Sequence, residues 1–168
     1  APREIKEVFG IFKAYCTRVG SGPFPTELFG TMGEKIQTLG HEFGATTGRP
    51  RRCGWLDLPA LRYAVIVNGV TQLFMMKSDI LDDFDEISVC TEYQYQDGSC
   101  NQEMPYDTDQ KITPVYTQLK GWSNFDADKV KSFEDLPSEL QDYIKFIEKY
   151  LNIPITILSY GPDRKETL

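Results

Sequence analysis

Metal-binding motifs are the first thing that this sequence lacks. It contains one histidine, His41, and four cysteines, none of them in the CxxC spacing of common zinc sites. A structural zinc site needs four Cys or His ligands at short spacings, so the sequence excludes one built on such a motif. We expect free thiols, as in a reducing cytoplasm, at Cys16, Cys53, Cys90 and Cys100.

Long apolar runs and an excess of positive charge are absent too. No run approaches the roughly 20 residues that a membrane-spanning helix needs, and there is no secretory signal pattern. Acidic residues outnumber basic ones by 25 to 18, which gives a net charge of -7. Because proteins that bind nucleic acids or membrane surfaces normally present a basic face, we expect neither kind of partner. We expect one domain in a cytoplasmic protein.

A phosphate-binding loop is the third absence. The Gly-x-x-x-x-Gly-Lys-Ser/Thr pattern of nucleotide-binding P-loops does not occur. The stretch from Gly30 to Lys35 has the wrong spacing and lies inside a predicted helix. If the chain binds a nucleoside triphosphate, residues outside it must therefore hold the phosphates. The first residue is Ala1 rather than Met, which hints at processing or at a piece of a longer protein.

The positive charge that is present is concentrated in one loop. Three of the 18 basic residues, Arg49, Arg51 and Arg52, fall within four positions of the stretch 44–52 (GATTGRPRR), which we call the Arg loop. The guanidinium group presents paired donors that match carboxylate and phosphate oxygens. Threonine hydroxyls and backbone N–H groups near glycine complete an anion cradle. The loop is predicted to bind a small anionic ligand, the alternative being a solvated surface or an ion-pair cluster.

Two further segments follow short apolar runs that are predicted to be buried strands. Lys77-Ser78-Asp79 comes after the run 71–76, and Ser159-Tyr160-Gly161 comes after the run 155–158. In open α/β sheets, ligands bind beyond the carboxyl ends of the strands. A Lys-x-Asp sequence there can read guanine: the carboxylate accepts from the ring N–H and the exocyclic amine, and the lysine stem covers the base with its ammonium in water. The alternatives are a surface ion pair and a simple turn.

The apolar pattern along the chain alternates between helical and extended periods. This predicts an α/β fold with a partly parallel sheet, flanking helices and an additional β-hairpin at Asp97-Gly98. The segment 121–135 is predicted to be rich in loops. Strands are predicted over 9–19, 71–76, 86–95, 113–119 and 155–158. Helices are predicted from an N-cap at Thr26 to Gly40, from Asp57 to Gly69, and from Pro137 in the first helical position to Leu151.

Five motifs occur in one order along the chain, and together they identify a family. They are 13–27 (KAYCTRVGSGPFPTE), 42–57 (EFGATTGRPRRCGWLD), 77–82 (KSDILD), 121–122 (GW) and 159–164 (SYGPDR). With these motifs the chain resembles the C-terminal part of the adenylosuccinate synthetase family. The resemblance implies that residues 1–168 are the C-terminal portion of such an enzyme, with the C-terminal part of a P-loop-NTPase-like synthetase fold.

The resemblance implies a reaction and the residues that serve it. The family joins IMP and L-aspartate at the expense of GTP, with Mg²⁺, and releases adenylosuccinate, GDP and phosphate in purine biosynthesis. The residues implied for L-aspartate and IMP are Val19, Ala45, Thr46, Thr47, Gly48, Arg49, Pro50 and Arg51. Those implied for GTP are Arg51, Lys77, Ser78, Asp79, Ser159, Tyr160 and Gly161.

The chain differs from the family pattern by omission. The glycine-rich phosphate loop and the catalytic Asp and His of the family have no counterpart here, so no catalytic and no metal-binding residue is expected in this chain. We therefore expect it to be inactive alone, whereas the complete enzyme is expected to be a homodimer. The alternative is a non-catalytic module that binds a guanine nucleotide or a dicarboxylate.

Overall fold

A computed structural model describes residues 4–107, 109–123 and 125–168. Three helices and nine strands are found in this part of the chain, and they alternate along it as predicted. The strands are β1 (Phe9–Lys13), β2 (Cys16–Arg18), β3 (Arg52–Gly54), β4 (Leu56–Asp57), β5 (Gln72–Met76), β6 (Glu86–Tyr95), β7 (Cys100–Asn101), β8 (Ile112–Lys120) and β9 (Ile155–Leu158). The helices are α1 (Thr31–Leu39), α2 (Leu58–Asn68) and α3 (Ser138–Leu151).

A parallel three-stranded sheet positions the candidate site. Its strand order is β1-β5-β9, and β5 pairs in parallel with both neighbours. Leu73 and Met75 of β5 are buried, which confirms the predicted buried parallel strand. Since all three strands run the same way, their carboxyl ends lie at one edge. The residues at these ends are Lys13, Lys77 and Ser159.

A second sheet is built around the long strand β6. It pairs in parallel with β4 and antiparallel with β7 and β8. The bounds of β6 agree with the prediction, and the turn at Asp97-Gly98 forms the expected hairpin, in which the Tyr95 N–H donates to the Ser99 carbonyl at 2.8 Å. Gly98 has a φ of 84°, a conformation that glycine adopts without strain.

Most of the apolar residues that were predicted to lie on one face of each helix are buried in the core. The apolar stripe of α3 (Leu140, Tyr143, Ile144, Ile147 and Leu151) is buried. Helix α2 begins after Asp57, whose carboxylate accepts from the Ala60 N–H at 3.1 Å, and ends at Gly69 with a φ of 61°. In α1, Ile36 is fully buried, but Met32 and Leu39 are exposed. Two short 3-10 turns, Ala127–Lys129 and Phe133–Asp135, interrupt the predicted loop 121–135.

The predicted start of α1 is wrong. Thr26 is fully buried rather than a helix cap, and its carbonyl accepts from the Trp55 N–H at 3.2 Å. The helix begins at Thr31 after Gly30, whose φ of 69° makes the turn into it. A local capping signal was outweighed here by tertiary packing. Similarly, Pro137 is the N-cap of α3 and not its first residue.

The predicted strand 9–19 is two strands. β1 ends at Lys13, the Ala14 N–H donates to the Met76 carbonyl at 2.8 Å, and the chain then crosses to pair β2 antiparallel with β3. Tyr15 lies in the gap and is buried. The break arises because one apolar segment contributes a strand to each of two sheets. The short strands β3 and β4 were not predicted.

Candidate functional site

The two predicted guanine-reading segments meet at the carboxyl edge of the parallel sheet. The Ser159 N–H donates to the Met75 carbonyl at 2.9 Å. The Ser159 carbonyl in turn accepts from the Ser78 N–H at 3.4 Å and from the Ser78 hydroxyl at 3.1 Å. Segments that are 81 residues apart in sequence therefore form one continuous surface. This juxtaposition follows directly from the parallel pairing of β5 and β9.

Asp79 and Lys77 occupy the turn that follows β5. Lys77 has a φ of 61°, an uncommon conformation for a residue with a side chain, and it leads into a 3-10 turn over Ser78–Leu81. Asp79 is partly buried and forms no ion pair among the described residues. Burial raises the pKa of the Asp79 carboxyl, although the Lys77 charge opposes this shift. A carboxylate without an internal cation is able to accept two donors from a ligand.

The segment 159–161 offers one free backbone donor. The N–H of Ser159 is bonded to Met75, and the N–H of Tyr160 donates to the Glu166 carbonyl at 3.0 Å. In the described part of the chain, only the Gly161 N–H of these three has no acceptor. The Tyr160 ring is buried against Phe125, with centroids 5.7 Å apart, so this side chain supports the segment from below.

Gly161 lies where an added side chain would have to displace a neighbouring one. A Cβ added there would lie 2.3 Å from the carboxylate carbon of Glu166. That carboxylate accepts from the Asp163 N–H at 2.6 Å, which holds it beside the glycine. The crowding arises because the C-terminal segment folds back, with Leu158 and Leu168 exchanging backbone hydrogen bonds at 2.9 Å. The glycine therefore keeps the surface at this point open to a ligand.

The tip of the Arg loop is a tight, exposed turn. The Gly44 N–H donates to the Arg49 carbonyl at 2.9 Å, and the Gly48 N–H donates to the Gly44 carbonyl at 2.8 Å. Gly48 has a φ of 63°, which allows the chain to reverse. Thr47 accepts weakly from the Arg49 N–H at 3.4 Å. The residues from Ala45 to Pro50 are exposed.

The three arginines of the loop have different environments. Arg49 at the tip makes no ion pair or side-chain hydrogen bond within the described ranges. Arg52 donates from Nε to Glu27 Oε1 at 2.7 Å, and from Nη1 to the carbonyls of Gly20 and Gly22. The alternative of an ion pair is therefore found at Arg52, whereas ligand binding by Arg49 stays a prediction. Through Arg52 the loop is tied to the segment beside Val19, whose side chain is exposed.

Arg51 leads to a buried carboxylate that was not predicted from the sequence. Glu42 is fully buried. Its Oε2 accepts from Arg51 Nη1 at 2.7 Å. Its Oε1 accepts from Lys13 Nζ at 2.7 Å, from the Tyr15 hydroxyl at 2.7 Å and from Lys77 Nζ at 2.9 Å. We call these five residues the Glu42 cluster. One carboxylate thus joins the Arg loop to the turn after β5.

Glu42 is ionised in this environment. Burial alone raises the pKa of the carboxyl, but the hydrogen bonds from Lys13, Tyr15, Lys77 and Arg51 lower it to about 2. Hydrogen bonds to a charged form favour that form, and nearby cations add to the effect. Sequence reasoning missed Glu42 because it expects a charged residue on the surface. The available signal was its position at the start of the 42–57 motif.

The Lys77 ammonium makes two hydrogen bonds within the protein, which the prediction of a solvated ammonium did not include. It donates to the Gly40 carbonyl at 2.6 Å and to Glu42 Oε1 at 2.9 Å. The reason is that the turn after β5 faces the end of α1, where the buried carboxylate needs cations. Lys77 therefore belongs to the Glu42 cluster, while its side chain stays one-third exposed.

The described residues contain no cluster of metal ligands. Among them, no group of three or more His, Cys, Asp or Glu side chains is arranged to hold a metal ion. The exposed tip of the Arg loop contains no carboxylate to contribute to one. Within the same residues, no helix is long and apolar enough to cross a membrane.

Comparison with known proteins relates the chain to one family. A family model described as adenylosuccinate synthetase matches residues 1–168. The adenylosuccinate synthetases of Cytophaga hutchinsonii and Parabacteroides distasonis are 59% and 58% identical over 169 and 168 residues, covering 100% of this chain and 39% of each relative. The chain thus spans about two fifths of the length of these relatives.

A solved structure agrees with the sequence comparison. It is described as fully ligated adenylosuccinate synthetase from Plasmodium falciparum. It superposes with a TM-score of 0.91 at 38% identity, over 98% of this chain and 40% of that one. The fold, the order of the motifs and these likenesses agree: this chain belongs to the adenylosuccinate synthetase family.

Proposed function

We propose that the chain is the C-terminal portion of an enzyme that ligates IMP and L-aspartate to adenylosuccinate with GTP. In this reaction, GTP transfers its terminal phosphoryl group to the 6-oxygen of IMP and leaves as GDP. The amine of aspartate then attacks the ring carbon that bears this oxygen. The carbon–oxygen bond breaks, and phosphate leaves. The observation that carries the proposal is the single carboxylate, Glu42, that holds both Arg51 of the Arg loop and Lys77 of the turn after β5.

The guanine side of the site is proposed to be the edge formed by 77–79 and 159–161. The Asp79 carboxylate would accept from the ring N–H and the exocyclic amine of guanine, two donors that adenine does not present in that arrangement. The Gly161 N–H, which has no acceptor among the described residues, would donate to the guanine 6-oxygen. The exposed part of the Lys77 stem would cover the base.

The aspartate side is proposed to be the tip of the Arg loop. The exposed Thr46, Thr47 and Arg49 carry donors that suit a dicarboxylate, and Arg49 has no internal partner in the described part of the chain. Gly48, with its φ of 63°, holds the turn that presents them. Arg51, which forms an ion pair with Glu42, is proposed to reach the GTP side. Ala45, Pro50 and Val19 are proposed to complete the contacts with aspartate and IMP.

The catalytic, phosphate-binding and Mg²⁺-binding groups are assigned by this proposal to parts of the protein outside the chain. The homodimer and the cytoplasmic location stay predictions. On this view the isolated chain turns over none of the three substrates.

The experiment uses the full-length protein that contains this chain. It is mixed with GTP, IMP, L-aspartate and Mg²⁺, and adenylosuccinate is followed by its absorbance, with ATP replacing GTP as the control. We expect product that depends on GTP and none from residues 1–168 alone. A folded full-length protein that forms no product would overturn the proposal and leave a binding module, which GDP and L-aspartate binding would then test.

A further inference from the structure

We propose that Glu42 is a positioning residue that makes the binding of the guanine nucleotide and of L-aspartate interdependent. It would do so by fixing Lys77 and Arg51 on opposite oxygens of one carboxylate. This inference rests on the function proposed above, because it takes the two ligands from there. It assigns Glu42 no contact with either ligand, since its side chain is fully buried.

The Glu42 cluster joins two pairs of strands, β1 with β5 and β2 with β3, which belong to different sheets. Lys13 ends β1, Tyr15 lies between β1 and β2, Lys77 follows β5, and Arg51 precedes β3. The first three donate to Oε1, whereas Arg51 donates to Oε2. Because a carboxylate is a rigid plane, a shift of one oxygen shifts the other. A displacement at the turn after β5 is thereby transmitted to Arg51.

The backbone extends this link to the Arg loop itself. The Arg51 N–H donates to the Glu42 carbonyl at 2.8 Å, and Gln37 donates from its amide to the Arg51 carbonyl at 2.6 Å. Next to this pair, Phe43 and Pro50 form an isolated antiparallel bridge. Glu42 and Arg51 therefore form the neck of the loop, so the angle at which the tip leaves the domain depends on the position of Glu42.

The charges explain why the carboxylate is needed. Three cationic side chains converge on it, and Glu42 is their only negative partner among the described residues. Without it, Lys13, Lys77 and Arg51 would repel one another and separate. Lys77 and Arg51 are each bonded to Glu42 while one-third of each side chain stays exposed, so a ligand is still able to contact them. The Arg51 Nε is buried without an acceptor, a donor that a small movement could satisfy.

A second ion pair in the same loop provides the matched control. Glu27 pairs with Arg52, the residue after Arg51, and is also largely buried, with 14% of its side chain exposed. It makes no hydrogen bond or ion pair with Lys77, Lys13 or Tyr15 within the described ranges. Removing its charge perturbs the Arg loop without cutting the link to the guanine side.

The test measures the coupling directly in the full-length protein. GDP carries the guanine base but no transferable phosphate, so its dissociation constant is measured by calorimetry with IMP present, with and without saturating L-aspartate. The ratio of the two constants is the coupling factor. We expect a factor of about five or more for the unaltered protein, a value within about twofold of one for Glu42→Gln, and an unchanged factor for Glu27→Gln. A purely structural Glu42 would lower the unfolding temperature and leave the factor unchanged.

If Glu42→Gln does not fold, Lys13→Met and Tyr15→Phe replace it, because each removes one donor and leaves the carboxylate in place. Each is then expected to reduce the coupling factor by about two- to threefold, since a looser carboxylate transmits less. A factor of one in the unaltered protein, or an unchanged factor in these variants, overturns the inference. The proposed function fails separately, if the unaltered protein forms no adenylosuccinate from GTP, and the inference then falls with it.

Discussion

The neck and the tip of the Arg loop are a few residues apart and are built in opposite ways. At the neck, Glu42 is fully buried and bonded to four side chains. At the tip, Arg49 is exposed and has no side-chain partner among the described residues. Hydrogen bonds within the protein fix the position of a group, whereas donors without an internal acceptor remain available to a ligand. We therefore propose that the neck determines where the loop lies and that the tip determines what it binds.

The largest expected effect on stability comes from removing the Glu42 carboxylate at the neck. Replacing Glu42 by alanine leaves three cations around a buried space, and breaking a buried ion pair costs about 3 kcal/mol of unfolding free energy. Glu27→Ala breaks a more exposed pair and should cost about 1 kcal/mol. Urea denaturation of the full-length variants measures both. Equal losses in the two variants would contradict the distinction between the two ion pairs.

A substitution at the tip should change the kinetics with L-aspartate and leave the stability nearly unchanged. Arg49→Ala is expected to lower kcat/KM for L-aspartate by about 10- to 100-fold, because a charged hydrogen bond to the ligand is lost. Its unfolding free energy should stay within about 0.5 kcal/mol of the unaltered protein. Initial rates at varied aspartate, together with denaturation, check this. A variant that loses stability without a change in aspartate kinetics would place Arg49 in the framework instead.

Lowering the pH should reduce the stability that the Glu42 carboxylate contributes, over a defined pH range. The pKa of Glu42 is lowered to about 2 from an ordinary value of 4.5, by hydrogen bonds that outweigh burial. A carboxyl with a lowered pKa stabilises the fold above its unfolded pKa, and this contribution is lost as pH falls through the folded pKa. The stability difference between the unaltered protein and Glu42→Gln should therefore shrink from pH 4.5 towards about 2. Urea titrations at several pH values measure it, and a constant difference would be inconsistent with an ionised Glu42.

A smaller effect is expected at the other end of the site. Gly161→Ala places a Cβ against the Glu166 carboxylate, whose flexible end can move at a modest cost. We expect the KM for GTP to rise by only a fewfold, equivalent to about 1 kcal/mol. Glu166→Ala removes the obstacle, so the double variant should recover the KM. If the double variant stays impaired, the glycine matters for a reason other than space.

Periodicity predicted those elements whose burial has a simple repeat. The buried stripe of α3 and the bounds of β6 agree with the sequence, because each element packs one regular face. The meeting of 77–79 with 159–161 was also foreseeable, since parallel strands end at one edge. Local signals failed where tertiary contacts took over, as at Thr26, which is buried rather than capping a helix.

Glu42 could not have been predicted from the sequence by any of these rules. A glutamate between a helix and a basic loop reads as a surface residue, and its partners Lys13 and Lys77 come from distant parts of the chain. Burial of a charge becomes tolerable only when several donors converge on it. That convergence depends on the crossing from β1 to β2, which the sequence pattern concealed by continuing one apolar segment through both strands.

The proposed recognition of guanine by Asp79 is tested most directly by the nucleotide preference of Asp79→Asn in the full-length protein. An amide presents one donor and one acceptor where the carboxylate presents two acceptors. The ratio of kcat/KM for GTP over xanthosine triphosphate should therefore fall by about 100-fold or more. Asp82→Asn, three residues further on, should leave the ratio unchanged. If Asp79→Asn uses GTP as well as the unaltered protein does, the assignment of the guanine site is wrong.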